Sequence, residues 1–277
     1  RDIPGRDEGQ RGEDPHWGWT RKAIASLLAA GFRNNALPFD LRATAWHVLE
    51  PITDDPDPHD DADMGDRYTA AINSVRGTAL ETVLEYAAWC RRNLDRADTG
   101  QEFTLDRVSE ARDVLSRHLN ESEDTSLAVR AVYGIWFPRL YVLDRDWATG
   151  NQRRIFPLEP EAEDLFRAAW SAYINYSAAY DDLFRTLSQE YGRAVETVGT
   201  WPENRPPRPD EGLAKHLVVL HARGQTVAAD SRRLHEGFWA NAPDPLRARA
   251  VFCAGRMLGA GPVSQDALER LLALWEG

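Results

Sequence analysis

The sequence predicts an all-α protein, and three observations indicate this fold class. Apolar residues recur every three or four positions through most of the chain, which is the spacing of a helix face. No run of residues shows the period-two alternation that is typical of strands. Gly, Pro and Asn separate the periodic segments at short intervals, as at 223–224, 241–243 and 259–262. Together these features favour short helices in series.

The most strongly predicted helix covers residues 71–92. Two adjoining rows of apolar residues give it a wide apolar face: Val75, Ala79, Val83 and Ala87, then Leu80, Leu84 and Ala88. Because this face is wider than one neighbour covers, we expect other helices to pack on more than one side.

The ends and the polar side of this helix are also predicted. Asn73 or Ser74 can cap its start, and the arginines at 91–92 suit the carbonyl end of its dipole. Glu81 and Glu85 are expected on the side that faces solvent.

The chain before this helix divides into a linker, two helices and a break. Residues 1–15 are charged, Gly-rich and without periodicity, which predicts a flexible linker. Helices are predicted at 17–30 and 38–49, joined as a hairpin. Residues 51–66 hold three prolines and seven aspartates, so an exposed acidic loop is expected there.

The middle of the chain predicts further helices. A weaker one is expected at 104–119. An apolar one is expected at 127–143, capped by Ser126 and either kinked or interrupted by Pro138. A loop is predicted at 145–157. One or two long aromatic helices are predicted at 161–198.

The C-terminal part begins with an irregular, Pro-rich stretch at 199–210, where a sub-boundary is indicated. Four short helices are predicted after it, at 211–222, 226–239, 244–258 and 264–275. Their spacing suits stacked antiparallel pairs. We therefore expect residues 16–277 to form one irregular array of helical hairpins, similar to HEAT or TPR-like solenoids.

Composition narrows the class of function. The formal net charge is −11, and only two residues are lysine. An acidic chain is a poor general binder of nucleic acid, because phosphate contacts need a basic face. No apolar run approaches the length of a membrane span. Two cysteines in helical patterns suggest buried thiols. We expect a bacterial, cytoplasmic protein without a membrane partner, and a fragment, since the first residue is Arg1.

Catalytic and cofactor motifs are absent from the sequence. There is no P-loop, no Gly-x-Ser-x-Gly elbow, no His-Glu-x-x-His and no Cys-x-x-Cys. We therefore predict no catalytic, cofactor or metal residue. The acidic run at 60–66 clusters carboxylates around a glycine but lacks the closing Glu of a calcium loop. A solvated acidic loop is preferred there, and a cation site is the alternative.

Four residues are candidates for structural or partner contacts: Asn73, Arg76, Trp136 and Asp181. Arg76 lies in the first turn of an apolar helix and needs a carboxylate such as Asp66, Glu123 or Asp124. Trp136 is one of ten tryptophans, which either fill gaps between helices or line a ligand groove.

Asp181 and Asp182 support a second hypothesis. They follow an aromatic run, and carboxylates beside aromatic rings can form a glycosidase-like cleft when one of them has a raised pKa. This hypothesis requires a concave site with one of the two carboxylates buried. The alternative is that the rings form core and the aspartates face water.

Three segments carry a resemblance to a known class of proteins. They are the string from Ala71 to Trp89 (AINSVRGTALE, then EYA and Trp), the run from Ser126 to Pro138, and the end around Leu217, 223–224 and 274–276. They resemble the C-terminal helical regions of large bacterial STAND-type NTPases and related antiphage defence proteins. The resemblance implies a sensor or scaffold region, with the NTPase and effector modules upstream.

The leading functional hypothesis is a non-enzymatic helical-repeat module for protein recognition or sensing. Its partner would be its own upstream NTPase or effector domain, or a foreign protein. The second hypothesis is a small all-α enzyme with acidic residues in an aromatic-lined cleft.

Overall fold

The computed structural model describes residues 17–57, 67–97, 102–201, 208–226 and 229–276. Within these ranges the chain is all-helical and contains no strand. The predicted linker at 1–15 and the candidate cation run at 60–66 lie outside the described residues. The Pro-rich stretch at 199–210 is described at its two ends only.

Up to residue 150, the described ranges contain seven α-helices and two short 3-10 helices, at Phe39–Leu41 and Leu105–Val108. Their bounds are α1 Trp17–Arg33, α2 Arg42–Thr53, α3 Arg67–Asn73, α4 Val75–Ala97, α5 Ser109–His118, α6 Leu127–Leu143 and α7 Arg145–Gly150.

Eight further α-helices follow among the described residues, with a 3-10 helix at Pro160–Ala162. Their bounds are α8 Gln152–Ile155, α9 Glu163–Tyr176, α10 Asp181–Thr186, α11 Ser188–Glu196, α12 Pro209–Ala222, α13 Ala229–Asn241, α14 Asp244–Gly259 and α15 Gln265–Glu276.

The predicted helix at 71–92 is two helices that meet at Ser74, so a single helix there was wrong. The Ser74 hydroxyl accepts a hydrogen bond from the Gly77 N–H (3.0 Å) and donates to the Ala71 carbonyl (2.8 Å). Ser74 is thus the side-chain cap of α4 and satisfies one of the N–H groups that have no partner within the helix. A Cβ at position 77 would overlap the Ala71 backbone, so only glycine fits this junction.

Helix α4 is the central element of the N-terminal part. It packs on α1 and α2 and also on α6, as its wide apolar face predicts. Its buried rings Tyr86 and Trp89 join Phe32 of α1, with the Phe32 ring centroid 5.4 Å from Tyr86 and 5.0 Å from Trp89. Burying such large rings stabilises the α1–α4 pair.

Helix α6 has the bounds that the sequence predicts, and Ser126 caps it through the Val129 N–H (3.4 Å). It continues through Pro138 as one helix. Gly134 lies against the backbone of Ala169 in α9, where a side chain would overlap the Ala169 carbonyl. The absence of a side chain thus lets α6 and α9 approach closely.

Three other predicted bounds need correction. The loop predicted at 145–157 is largely helical, in α7 and α8, since Asp144 caps α7 by accepting from the Trp147 N–H (2.9 Å). Helix α2 extends past Pro51 to Thr53. The aromatic segment at 161–198 forms three α-helices rather than one or two.

Candidate partner-binding cleft

A cleft of about 550 Å³ lies between α4, α6 and the start of α10. Four arginines line it: Arg33, Arg91, Arg92 and Arg139. Its apolar lining includes Leu84, Ala88, Leu140 and Leu183, of which the three leucines are buried and form the floor. This volume is within the range of sites that bind small ligands or short peptide segments.

Glu85 holds two of these arginines in place. Its carboxylate is buried, and Oε1 accepts hydrogen bonds from Arg33 Nε (3.1 Å) and Arg139 Nη1 (2.9 Å). The side chains of Arg33 and Arg139 are 60% and 63% exposed. The expectation that Glu85 faces solvent is therefore wrong: a pair of arginines compensates its burial, and their guanidinium groups remain open to solvent.

The other two arginines are tied to backbone carbonyls. Arg91 Nη1 donates to the Val142 carbonyl (2.6 Å) at the end of α6, and Arg92 Nη2 donates to the Phe32 carbonyl (2.7 Å) in α1. A guanidinium carries five N–H donors, so each group can bind a ligand while it keeps its carbonyl. These bonds also hold α1 and α6 against α4.

An aromatic side chain forms part of the wall. The Arg139 guanidinium lies 4.3 Å from the centroid of the Trp136 ring, in a cation–π contact. Trp136 Nε1 donates to Glu81 Oε1 (3.1 Å). Burial raises the pKa of Glu81 above its usual range, against the hydrogen bonds from Trp136 and Tyr68, which act to lower it. Glu81 is half-buried and not on the solvent side as expected.

Of the four contact residues predicted from the sequence, Trp136 lines the cleft. Asn73 is exposed at the end of α3. Asp181 Oδ1 accepts from Arg223 Nη1 (3.3 Å), which links α10 to the end of α12. The structure does not bring these residues together into one site.

Arg76 belongs to a separate cluster. Its Nε lies 3.7 Å from Asp124 Oδ2, one of the three carboxylates that the sequence offered as partners. The same Asp124 oxygen lies 2.6 Å from His118 Nδ1. Burial acts to raise the pKa of Asp124, but the His118 hydrogen bond and the Arg76 charge outweigh it and lower this pKa. The cluster joins the start of α4 to the α5–α6 turn.

The geometry that the enzyme hypothesis requires is not present at Asp181 and Asp182. The first is half-buried and paired with Arg223, and the second is exposed and accepts from Arg185 Nη2 (2.6 Å). Asp182 does lie at the rim of the cleft. The hypothesis requires one of the two carboxylates to be buried, and neither is.

The arginines of the cleft were missed by sequence reasoning, which assigned those at 91–92 to the helix dipole. Arg33 and Arg139 lie on different helices, far apart in the chain, so no local spacing links them. The one available signal was Glu85, a carboxylate within a wide apolar face that needs a cationic partner when buried.

In the ranges that the structure describes, no group of three or more His, Cys, Asp or Glu side chains could hold a metal ion. Among those residues, no helix is both long and apolar enough to cross a membrane. No protein-family model, curated protein or solved structure matches the chain.

Proposed function

We propose that this protein is a non-catalytic recognition module whose cleft between α4, α6 and α10 receives a segment of a partner protein. One observation carries this proposal: exposed guanidinium groups surround an apolar floor within a concave site. Such a site combines apolar burial with a few oriented donors, as ligand sites in proteins do.

The arginine side chains of the cleft support a binding role because hydrogen bonds within the protein already orient them. Glu85 orients two arginines, and the backbone carbonyls of Phe32 and Val142 orient the other two. Donors that are oriented before binding lose little conformational entropy when a partner arrives. The wall is thus ready for recognition without rearrangement.

In this proposal the helices form an irregular array of antiparallel hairpins, similar to HEAT or TPR-like proteins, and the cleft lies in a groove of that array. The resemblance to STAND-type defence proteins supplies the partner class. The partner segment belongs either to an NTPase or effector module of the same protein or to a foreign protein that the module senses.

A selection from a displayed random-peptide library tests this function. The bait is the full chain, and selected peptides are then measured against Ala88→Trp, which fills the cleft from α4. The matched control is Ala23→Trp, at an exposed site of α1. We expect peptides that bind the wild type and the control with equal affinity but bind Ala88→Trp at least tenfold more weakly. Failure to enrich any peptide, or equal binding to both variants, would contradict the proposal.

A further inference from the structure

The charge of the cleft is opposite to that of the chain. The whole sequence has 44 acidic and 33 basic residues, but the cleft has four arginines and only two carboxylates, Glu85 and Asp182. One of these two, Glu85, is shared by Arg33 and Arg139. Concave sites with low-dielectric walls concentrate such a field. Arg91 also pairs with Asp95 (Nε to Oδ2 3.5 Å), but the four arginines still outnumber the three carboxylates, so a net positive charge faces a ligand that enters the cleft.

The dimensions of the cleft limit the length of what can bind. Its α4 wall runs from Leu84 to Arg92, which is about 12 Å at 1.5 Å per residue. An extended chain advances roughly 3.3 Å per residue, so about four residues fit along the wall. A short extended segment matches this length better than a helix or a folded domain does.

The apolar lining adds a second requirement. Leu84, Leu140 and Leu183 are buried, so the apolar surface of the cleft that water reaches lies at its rim, where Val142 and Tyr180 are 71% and 49% exposed. One large apolar side chain of a ligand can remove this surface from water, at a gain of roughly 25 cal/mol per Å². Charged groups on both sides of it would then reach the arginines.

From these features we infer that the cleft binds a short acidic segment of a partner protein, in which carboxylates flank one large apolar side chain. The inference rests on the proposed function and specifies its ligand. Carboxylates match the planar fork of the arginine side chain, which can bind them through two N–H groups.

A protein segment is favoured over nucleic acid by the charge outside the cleft. A longer polyanion extends beyond a wall of about 12 Å, and the chain as a whole repels it because its net charge is −11. A segment of about four residues stays within the basic region. Nucleic-acid binding needs a basic stripe that follows several phosphates.

The test uses fluorescence anisotropy with labelled probes on the full chain. The probes are the peptides EEWEE, QQWQQ, KKWKK and EEGEE, and a five-nucleotide single-stranded DNA. We expect EEWEE to bind at least tenfold more tightly than each of the others, and to weaken as salt is raised because the contacts are ionic.

Two variants with equal loss of charge locate the binding. Arg33→Gln/Arg139→Gln removes two arginines of the cleft, and Arg112→Gln/Arg247→Gln removes two arginines outside it. We expect about a tenfold loss of EEWEE affinity in the first, from two partly exposed ion pairs, and less than a twofold change in the second. Adding Glu85→Gln to the first variant removes the unpaired buried carboxylate, and this triple variant should show the same loss.

The possible outcomes distinguish the acidic ligand from the proposed protein-binding function of the cleft. If QQWQQ or KKWKK binds as well as EEWEE, and Ala88→Trp abolishes that binding, the acidic ligand is wrong and the protein-binding cleft stands. If only the DNA binds, or if Ala88→Trp leaves all peptide binding unchanged, both are overturned. The comparison of probes on the wild type decides the question even if a variant fails to fold.

Discussion

Gly134 of α6 lies in direct contact with the backbone of Ala169 in α9, so closely that a Cβ at position 134 would overlap the Ala169 carbonyl oxygen. The two helices form one of the most extensive pairings in the described part of the chain. Small residues at a helix crossing set the distance between the axes. The pairing of α6 with α9 therefore depends on one missing methyl group.

Gly134→Ala should accordingly destabilise the protein although alanine favours helices. Separating the two backbones costs about 1–3 kcal/mol, more than the roughly 1 kcal/mol that the substitution gains in helix propensity. Urea unfolding measures the change in the free energy of unfolding. Gly150→Ala is the control, since a Cβ there meets no atom within 4 Å. A stabilised Gly134→Ala would show that the helices do not approach as described.

Tyr86→Phe should destabilise the protein through a buried polar cluster. The Tyr86 hydroxyl donates to Glu110 Oε1 (2.6 Å) and accepts from Arg42 Nε (2.9 Å). Its removal takes a hydrogen bond from each of two charged partners, at a cost of about 1–3 kcal/mol in total. Tyr180→Phe, at an exposed ring, should change the free energy of unfolding by less than about 0.5 kcal/mol. Equal effects of the two variants would contradict this account.

His216 should make stability depend on pH. Burial lowers its pKa from an ordinary value of 6.5 to about 4. Its Nε2 lies 3.0 Å from the Ser177 carbonyl, which only accepts, so Nε2 carries the proton and Nδ1 accepts from the Tyr191 hydroxyl (2.7 Å). The folded state thus holds a neutral imidazole, and the unfolded state takes up a proton first as pH falls.

The stability that His216 contributes is therefore present above pH 6.5 and lost as pH falls through about 4. Between these values the wild type should lose up to about 3 kcal/mol relative to His216→Gln. Denaturant unfolding at several pH values between 7 and 4 checks the slope. Tyr191→Phe keeps the buried imidazole and should keep the wild-type slope. Parallel profiles for wild type and His216→Gln would contradict the lowered pKa.

The purified chain should hydrolyse neither ATP nor glycosides nor esters above the rate in buffer. The sequence has no nucleotide or nucleophile motif, and Asp181 and Asp182 lack the burial of a general acid. Turnover assays with the three substrate classes measure this. An activity that copurifies with the chain and is lost in Asp181→Asn/Asp182→Asn would favour the enzyme hypothesis instead.

The helical segments were predicted best where one apolar pattern has clear end signals. Helix α6 has its predicted bounds because Ser126 caps it and apolar residues fill it throughout. Ser74 was predicted as a possible cap of this segment and does cap α4. The separate helix α3 before it was missed because the apolar pattern continues across Ser74. The helices at 145–155 were missed because they are too short to show a period.

The cleft could not be predicted, since its arginines come from α1, α4 and α6 and meet through tertiary packing. Periodicity placed Glu85 toward solvent because it treats a carboxylate as a surface residue. The structure buries Glu85 between Arg33 and Arg139. The spacing of neighbouring residues cannot predict an ion pair between residues that are far apart in the sequence.

Pro138 is part of the lining of the cleft and lies within α6. Proline has no N–H, so the carbonyl four residues earlier, that of Gly134, receives no helical hydrogen bond from it. The unbonded turn therefore separates the half of α6 that is locked to α9 from the half that carries Arg139. The outer half is held to α4 by the hydrogen bonds from Arg139 to Glu85 and from Arg91 to the Val142 carbonyl, so side chains replace the backbone bond that the proline removes.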